Sequence, residues 1–299
     1  MVKSLSIIIV TYNSQSLINN CLSSIQNNLD INIDQIEVIV VDNSPAKSAL
    51  EIENLVMSHT LNETVSLKYI HNTANLGYGQ GNNIGIKNST GNIICIMNPD
   101  VNFIEPVFQR VISHFSANPN IALLGGKQLG YRDLSFYLMP EKNLGIFQTF
   151  LIIIFNKLNL FHKRCMFLSG ALLFIDKKKF NEIGNFDENI FMYMEEADIT
   201  TRFIKKNYDI IYDSKLRYRH LIEGREKWNF VSREREFESL QYYCNKYNYS
   251  IQNIINKNII SLKVNRIWFK IFGTKDQLKV NLKQLKYYRS KKNNLQSQK

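Results

Sequence analysis

Two apolar runs near the start of the chain constrain its fold more than any other feature: Ile7-Ile8-Ile9-Val10 and, about thirty residues later, residues 36–41. Neither alternates with polar side chains. A strand that faces solvent on one side must alternate, so these runs require strands covered on both faces, the arrangement of a parallel sheet in an α/β domain. Each run stops at polar groups, Thr11-Tyr12-Asn13 in the first case and Asp42-Asn43-Ser44 in the second. Ligands of open α/β sheets sit beyond the carboxyl ends of the strands. Thr11, Asn13 and Asp42 are therefore candidates for a nucleotide-base pocket, and the alternative for Asn13 and Asp42 is that they merely cap the helices that follow them.

The alternation continues. Apolar residues Leu17, Cys21, Leu22 and Ile25 predict a helix over 16–27, and further segments predict a helix over 45–64, a strand over 65–70, a helix over 82–88 and a strand over 93–97. Strand and helix in turn through the first hundred residues indicate a doubly wound sheet with right-handed crossovers. Beyond it, a helix is expected over 104–118, a strand over 167–175, a helix over 190–206 and a strand-like segment over 210–212. The apolar stretch within 144–161 is too short to span a bilayer and reads as a core helix or a second apolar surface facing lipid or a lipid-linked substrate.

Charge is distributed unevenly. Residues 1–100 hold 4 Lys/Arg against 8 Asp/Glu, whereas residues 101–299 hold 33 against 18. Residues 257–299 carry 12 basic side chains and one acid, Asp276, interleaved with Trp268, Phe269, Phe272, Tyr287 and Tyr288. Leu278, Leu282 and Leu285, at i, i+4 and i+7, give this segment one apolar stripe. Such a helix either lies on an anionic membrane surface or turns its apolar side to the body of the protein, and the segment could equally pack against another subunit. No nucleic-acid recognition motif accompanies it. The start of the chain has no signal-peptide pattern, so the catalytic part is expected in the cytoplasm. Cys21, Cys95, Cys165 and Cys244 are far apart without metal-ligand spacing, which excludes a zinc site or disulfide framework as the organising element.

Three further clusters can carry chemistry. In Asn98-Pro99-Asp100 the proline stops a strand and leaves Asp100 at its mouth, where a carboxylate can hold a divalent cation against nucleotide phosphates. The glycine-rich segment from Asn75 to Asn83 falls between a strand and a helix and allows close backbone approach to a phosphate or sugar, but it follows the third strand, where a dinucleotide fingerprint does not belong. Met194-Glu195-Glu196-Ala197-Asp198 heads a helix, so its acids both complement the helix dipole and supply a candidate general base. Asp198 and Arg202 read as an i, i+4 ion pair. His220 is a candidate metal ligand, with Arg219 or Arg225 near enough in sequence to hold a diphosphate.

Taken in order, Val-Thr-Tyr-Asn at 10–13, Val-Asp-Asn-Ser at 41–44, Asn75-Leu76-Gly77-Tyr78-Gly79, Asn98-Pro99-Asp100, Ser169-Gly170-Ala171, Gly184-Asn185-Phe186-Asp187-Glu188, Tyr193 to Asp198, Arg202 and His220 resemble the family 2 glycosyltransferases, in particular their rhamnosyltransferase-like branch in bacterial polysaccharide synthesis. The resemblance implies a GT-A fold with a doubly wound, mostly parallel mixed sheet. It implies a glycosyltransferase domain over 1–225, with a donor-binding half to about residue 100 and an acceptor and catalytic half after it, and a basic, mainly helical extension over 226–299. It further implies an inverting, Mg2+- or Mn2+-dependent transfer of a sugar such as rhamnose from a dTDP- or UDP-sugar to a lipid-linked acceptor at the inner face of the plasma membrane. By the same resemblance Thr11, Tyr12, Asn13 and Asp42 hold base and ribose, Gly79 and Asn82 line the donor cleft, and Asn98, Asp100, Gly170, Ala171 and Arg225 complete the donor site. Asp100 and His220 ligate the metal, and Glu196 is the base with Glu195 beside it. Two departures stand out: Asn98 replaces the first acid of the usual Asp-x-Asp, and Glu196 stands where Asp is usual. They are the basis for an alternative, a weakly catalytic nucleotide-sugar-binding scaffold of a membrane assembly. A nicotinamide-dependent oxidoreductase has little in the sequence to support it.

Overall fold

The computed structural model describes residues 4–130, 133–221 and 229–297. The chain forms two compact units, Met1–Tyr137 with Phe161–Glu223, and Leu138–Leu160 with Gly224–Lys299.

The first unit is built on an eight-stranded sheet. Its strands are β1 (Leu5–Thr11), β2 (Ile36–Asp42), β3 (Ser66–His71), β4 (Ile93–Met97), β5 (Val101–Phe103) and β6 (Ile121–Gly130), and, after a short ribbon of β7 (Phe136–Leu138) and β8 (Met166–Leu168), β9 (Leu172–Asp176) and β10 (Asp209–His220). The order is β3-β2-β1-β4-β9-β6-β10-β5. Pairings among β1 to β4 are parallel, as is β6 with β10; β9 runs antiparallel to both its neighbours and β5 antiparallel to β10. This is the mixed, mostly parallel doubly wound sheet expected. All seven residues of β1 and of β2 are buried, as continuous apolar runs require.

Helices cover both faces. Ile18, Cys21, Leu22 and Ile25 of α1 (Gln15–Asn27) join Leu5, Ile7 and Ile9 in the main core, with Ile52 and Val56 of α2 (Ala46–Met57). On the other face Val10, Ile39 and Val41 meet Tyr78 and Ile84 of α3 (Tyr78–Lys87). This helix begins four residues before its predicted start. Its glycines lower helix propensity, but they let it lie close on the sheet: a Cβ on Gly85 would fall 2.4 Å from a methyl of Ile8. The expected strand over 167–175 is two strands, broken at Ser169-Gly170-Ala171. The remaining helices of this unit are α4 (Phe108–Ala117) and, after α5 (Gln148–Lys157) of the second unit, α6 (Lys177–Glu182) and α7 (Glu195–Lys205).

The second unit is helical. It comprises α5 with α8 (Phe230–Tyr247), α9 (Ile251–Ile271) and α10 (Lys275–Ser297). Its core holds Phe237, Ile255, Ile259, Leu285 and Tyr287. Of the leucine stripe of α10, Leu285 turns inward at 3% exposure, Leu278 is half-buried and Leu282 stays exposed at 39%. Among the described residues no helix is long and apolar enough to cross a membrane.

Candidate active site

The ends of β1, β2 and β4 and the start of β9 lie along one edge of the sheet, because β9 runs against β4 with Leu172 opposite Met97. There Asp42 is fully buried and accepts from Thr11 Oγ1 at 2.8 Å, Ser44 Oγ at 2.6 Å, Ser44 N at 3.1 Å and Tyr69 OH at 2.9 Å. Thr11 is equally buried, and surface at the end of β1 comes from Tyr12, 53% exposed, and Asn13. Asn13 adopts φ 52°, a left-handed conformation that asparagine tolerates, and its N–H donates to Ser44 Oγ at 2.8 Å. Ser44, from the polar end of the second run, and Tyr69 complete the Asp42 network; Tyr69 was not singled out in the sequence, because the alternation of β3 alone could not have revealed that it reaches across to β2.

Asp100 and His220 come together as their strand pairing dictates: β5 begins one residue after Asp100 and pairs Val101 with His220. Asp100 Oδ1 and His220 Nε2 are 3.1 Å apart, at 8% and 7% exposure, and the other ring nitrogen, Nδ1, faces Gln128 Oε1 at 3.2 Å. Gln128 also accepts from Ser169 Oγ at 3.1 Å. Nε2 thus faces the Asp100 carboxylate and Nδ1 the side-chain oxygen of Gln128. A carboxylate and an imidazole fit Mn2+ or Mg2+ when phosphate oxygens and water complete the shell. Among the described residues no group of three or more His, Cys, Asp or Glu side chains forms a closed metal site. Arg225 lies outside the described residues.

Asn98 has a different partner from Asp100. Tyr78 OH donates to Asn98 Oδ1 at 2.8 Å and lies 3.2 Å from Gly170 O, while Asn98 N donates to Ala171 O at 2.9 Å. Tyr78, absent from the sequence-derived site, thus ties the β4 exit to the β9 entry. Burial pushes its phenol well up, and the charge of Glu196 adds to this. Gly79 and Asn82 sit behind this surface. Gly79 rests on Phe186, and Asn82 is 0% exposed and donates to Tyr78 O at 3.0 Å.

Glu195 and Glu196 open α7. The residues before them, Tyr193 and Met194, both have positive φ (71° and 70°), a strained pair that aims the first turn of the helix at the sheet edge. Glu196 lies against Gly170 so closely that a Cβ there would come within 1.8 Å of its Oε1. Glu195 is 3% exposed, and its Oε1 is buried without a hydrogen-bond partner. Burial raises the pKa of both carboxyls, and the charge of Glu196 raises that of Glu195 further. Asp198 forms the expected ion pair with Arg202, at 2.6 Å.

Known proteins share this architecture. A low-salt glycan biosynthesis hexosyltransferase, Agl10, of Haloferax volcanii is 27% identical over 217 residues, which cover 70% of this chain and 64% of that protein, so the chain spans less than two thirds of the relative's length. Among solved structures, the mannosyltransferase PcManGT of Pyrobaculum calidifontis, in complex with GDP-Man and Mn2+, aligns with TM-score 0.62 at 14% identity, over 98% of this chain and 84% of that one. TarS 1-349 of S. aureus, in complex with UDP-GlcNAc, aligns with TM-score 0.57 at 20% identity, over 89% and 73%. These likenesses establish a GT-A-like fold. Residues 6–184, more than half of the chain, match Glycosyl transferase family 2, and the chain belongs to that family.

Proposed function

We propose that the protein is an inverting transferase that moves a sugar, rhamnose or a related deoxysugar as in the rhamnosyltransferase-like branch, from a dTDP- or UDP-sugar to a lipid-linked saccharide during cell-surface polysaccharide synthesis. The observation that carries this reading is the convergence on the Tyr78 hydroxyl of Asn98, Gly170 and, across Gly170, Glu196, three motifs otherwise far apart in the chain. Tyr12 and Asn13 would meet base and ribose over the Thr11–Asp42 pair, and Asn98, Gly170 and Ala171 would border the transferred sugar. Glu196, half-buried and reachable, is the base that takes the acceptor hydroxyl's proton, and the wholly buried Glu195 stands behind it. A raised carboxyl pKa suits that task, since a base nearer neutrality recovers the proton more effectively.

Asp100 and His220 would hold Mg2+ or Mn2+. Bound there, the ion would neutralise charge developing on the leaving diphosphate. The basic second unit supports work at the inner face of the plasma membrane.

Thermal stabilisation by a panel of nucleotide-sugars, with and without Mn2+, tests the reading. A donor at about a hundredfold excess over Kd stabilises by roughly 2.7 kcal/mol. One dTDP- or UDP-sugar is expected to raise Tm with Mn2+, and Asp100→Ala to lose the manganese-dependent part. Donor binding without turnover on any lipid-linked acceptor would instead favour a scaffold.

A further inference from the structure

Helix α9 is apolar on two opposite faces. Ile255 and Ile259 lie in the core of the second unit, with Leu285 and Tyr287 of α10. Ile260, Val264, Ile267 and Ile271 follow one another at i, i+4, i+7 and i+11 on the other side and are 55%, 43%, 62% and 66% exposed. Trp268 and Phe272, in tilted contact with ring centroids 4.5 Å apart and exposed to 60% and 68%, widen this outer stripe. The turn Gly145–Phe147 packs on α9, held by Lys257 Nζ to Asn143 O and Asn143 Nδ2 to Asn258 Oδ1, both at 2.8 Å. It leads into α5 with Phe147 and Phe150 exposed.

A monomer gains nothing from so much uncovered apolar surface, which marks a contact site. Its chemistry selects the partner. Lys263 and Lys270, one helical turn to the side of the stripe, are exposed, and residues 257–299 hold 12 basic side chains and one acid. A second copy of the chain would bring like charge onto like charge. An anionic lipid surface takes both features together: apolar side chains enter the acyl boundary, aromatic rings sit at headgroup level and lysines meet the phosphates.

We propose that the outer face of α9, from Ile260 to Phe272 and extended by Phe147 and Phe150, is the surface by which the protein docks on an anionic membrane. This deepens the membrane reading above and rests on it, but is independent of the chemistry assigned to the first unit.

Flotation of the full chain with vesicles tests it. The wild-type protein is expected to float with an equal mixture of phosphatidylglycerol and phosphatidylcholine, to stay below with phosphatidylcholine alone, and to be released by high salt. Ile267→Glu with Ile271→Glu should abolish flotation while leaving Tm unchanged, because both side chains are already in water. Lys263→Glu with Lys270→Glu should weaken the partition by at least about twentyfold, at around fivefold for each lysine near the surface. Undiminished flotation of the isoleucine variant would overturn the α9 assignment and leave membrane binding to another surface. Failure of the wild-type protein to float with either vesicle would overturn the membrane reading itself, and equal flotation with both would overturn the role of the lysines.

Discussion

Glu37 and Glu195 are both buried carboxylates, 1% and 3% exposed, at opposite edges of one sheet. Glu37, where β2 begins, accepts from Ser6 Oγ at 2.7 Å, Thr90 N at 2.5 Å, Thr90 Oγ1 at 2.8 Å and Lys68 Nζ at 3.0 Å. Burial alone would push its pKa up, yet these donors outweigh it and hold the carboxyl at about 2. Glu195, at the edge where β4 ends, has an oxygen with no donor and a second carboxylate next to it, and its pKa moves the other way. One edge spends its donors on a single charge, which makes it a foundation. The other leaves charge poorly satisfied beside Gly170, and unsatisfied polar groups of this kind are costly to keep unless they serve chemistry.

Four substitutions test that contrast. The largest effect is expected from Glu196→Gln, which should lower kcat by about a thousandfold while donor Kd, measured by calorimetry, stays the same. Full turnover would remove Glu196 from the role of base. In the active wild-type protein the acid limb of the rate profile should lie above pH 4.5, because the carboxyl must lose its proton from a raised pKa. Next comes Glu37→Ala, which strands Ser6 and Thr90 and should cost about 3 kcal/mol in urea unfolding at neutral pH. Because the folded pKa of Glu37 is depressed, its contribution is fully present above 4.5 and is lost as pH falls toward about 2.

Tyr78→Phe removes the tie between β4 and β9 and should reduce kcat/KM by about tenfold, in line with about 1.4 kcal/mol for a buried hydrogen bond. The smallest effect is expected from Glu195→Gln, a gain of about 1 kcal/mol in stability at neutral pH. Here the sign reverses: a folded pKa raised above 4.5 gives stability that is present below that value and lost as pH climbs toward the folded pKa. Opposite pH dependences for the variants at 37 and 195 would confirm the contrast between the two edges. Parallel ones would dissolve it.

Much of this was legible in residue order. Continuous apolar runs marked β1, β2 and β4 because a doubly covered strand tolerates nothing else. The strand ends pointed to Asp42 and Asp100, and the motif order brought in Gly170, Glu196 and His220. What stayed hidden depends on tertiary contact. The start of α3 was obscured because its glycines serve packing on Ile8 and Val10, against local propensity. Tyr78 and Gln128 reach their partners across 20 and 92 residues, and no periodicity encodes such a reach. In the second unit the i, i+4, i+7 rule identified an apolar stripe on α10 but could not say how much of it the core would cover, and the core takes Leu285 while Leu282 and the outer face of α9 stay exposed.

Gly77 has a consequence for how such a site can change. Its φ of 111° and the position of Phe191 O, 2.2 Å from where a Cβ would stand, leave no room for any side chain, and the next N–H donates to that same oxygen at 2.9 Å. The glycine-rich segment and the segment that delivers the α7 acids are therefore tied backbone to backbone. A variant that reshapes the first to accept a different sugar will disturb the second as well, so new donor preferences in this scaffold should arise elsewhere in the site and leave Gly77 untouched.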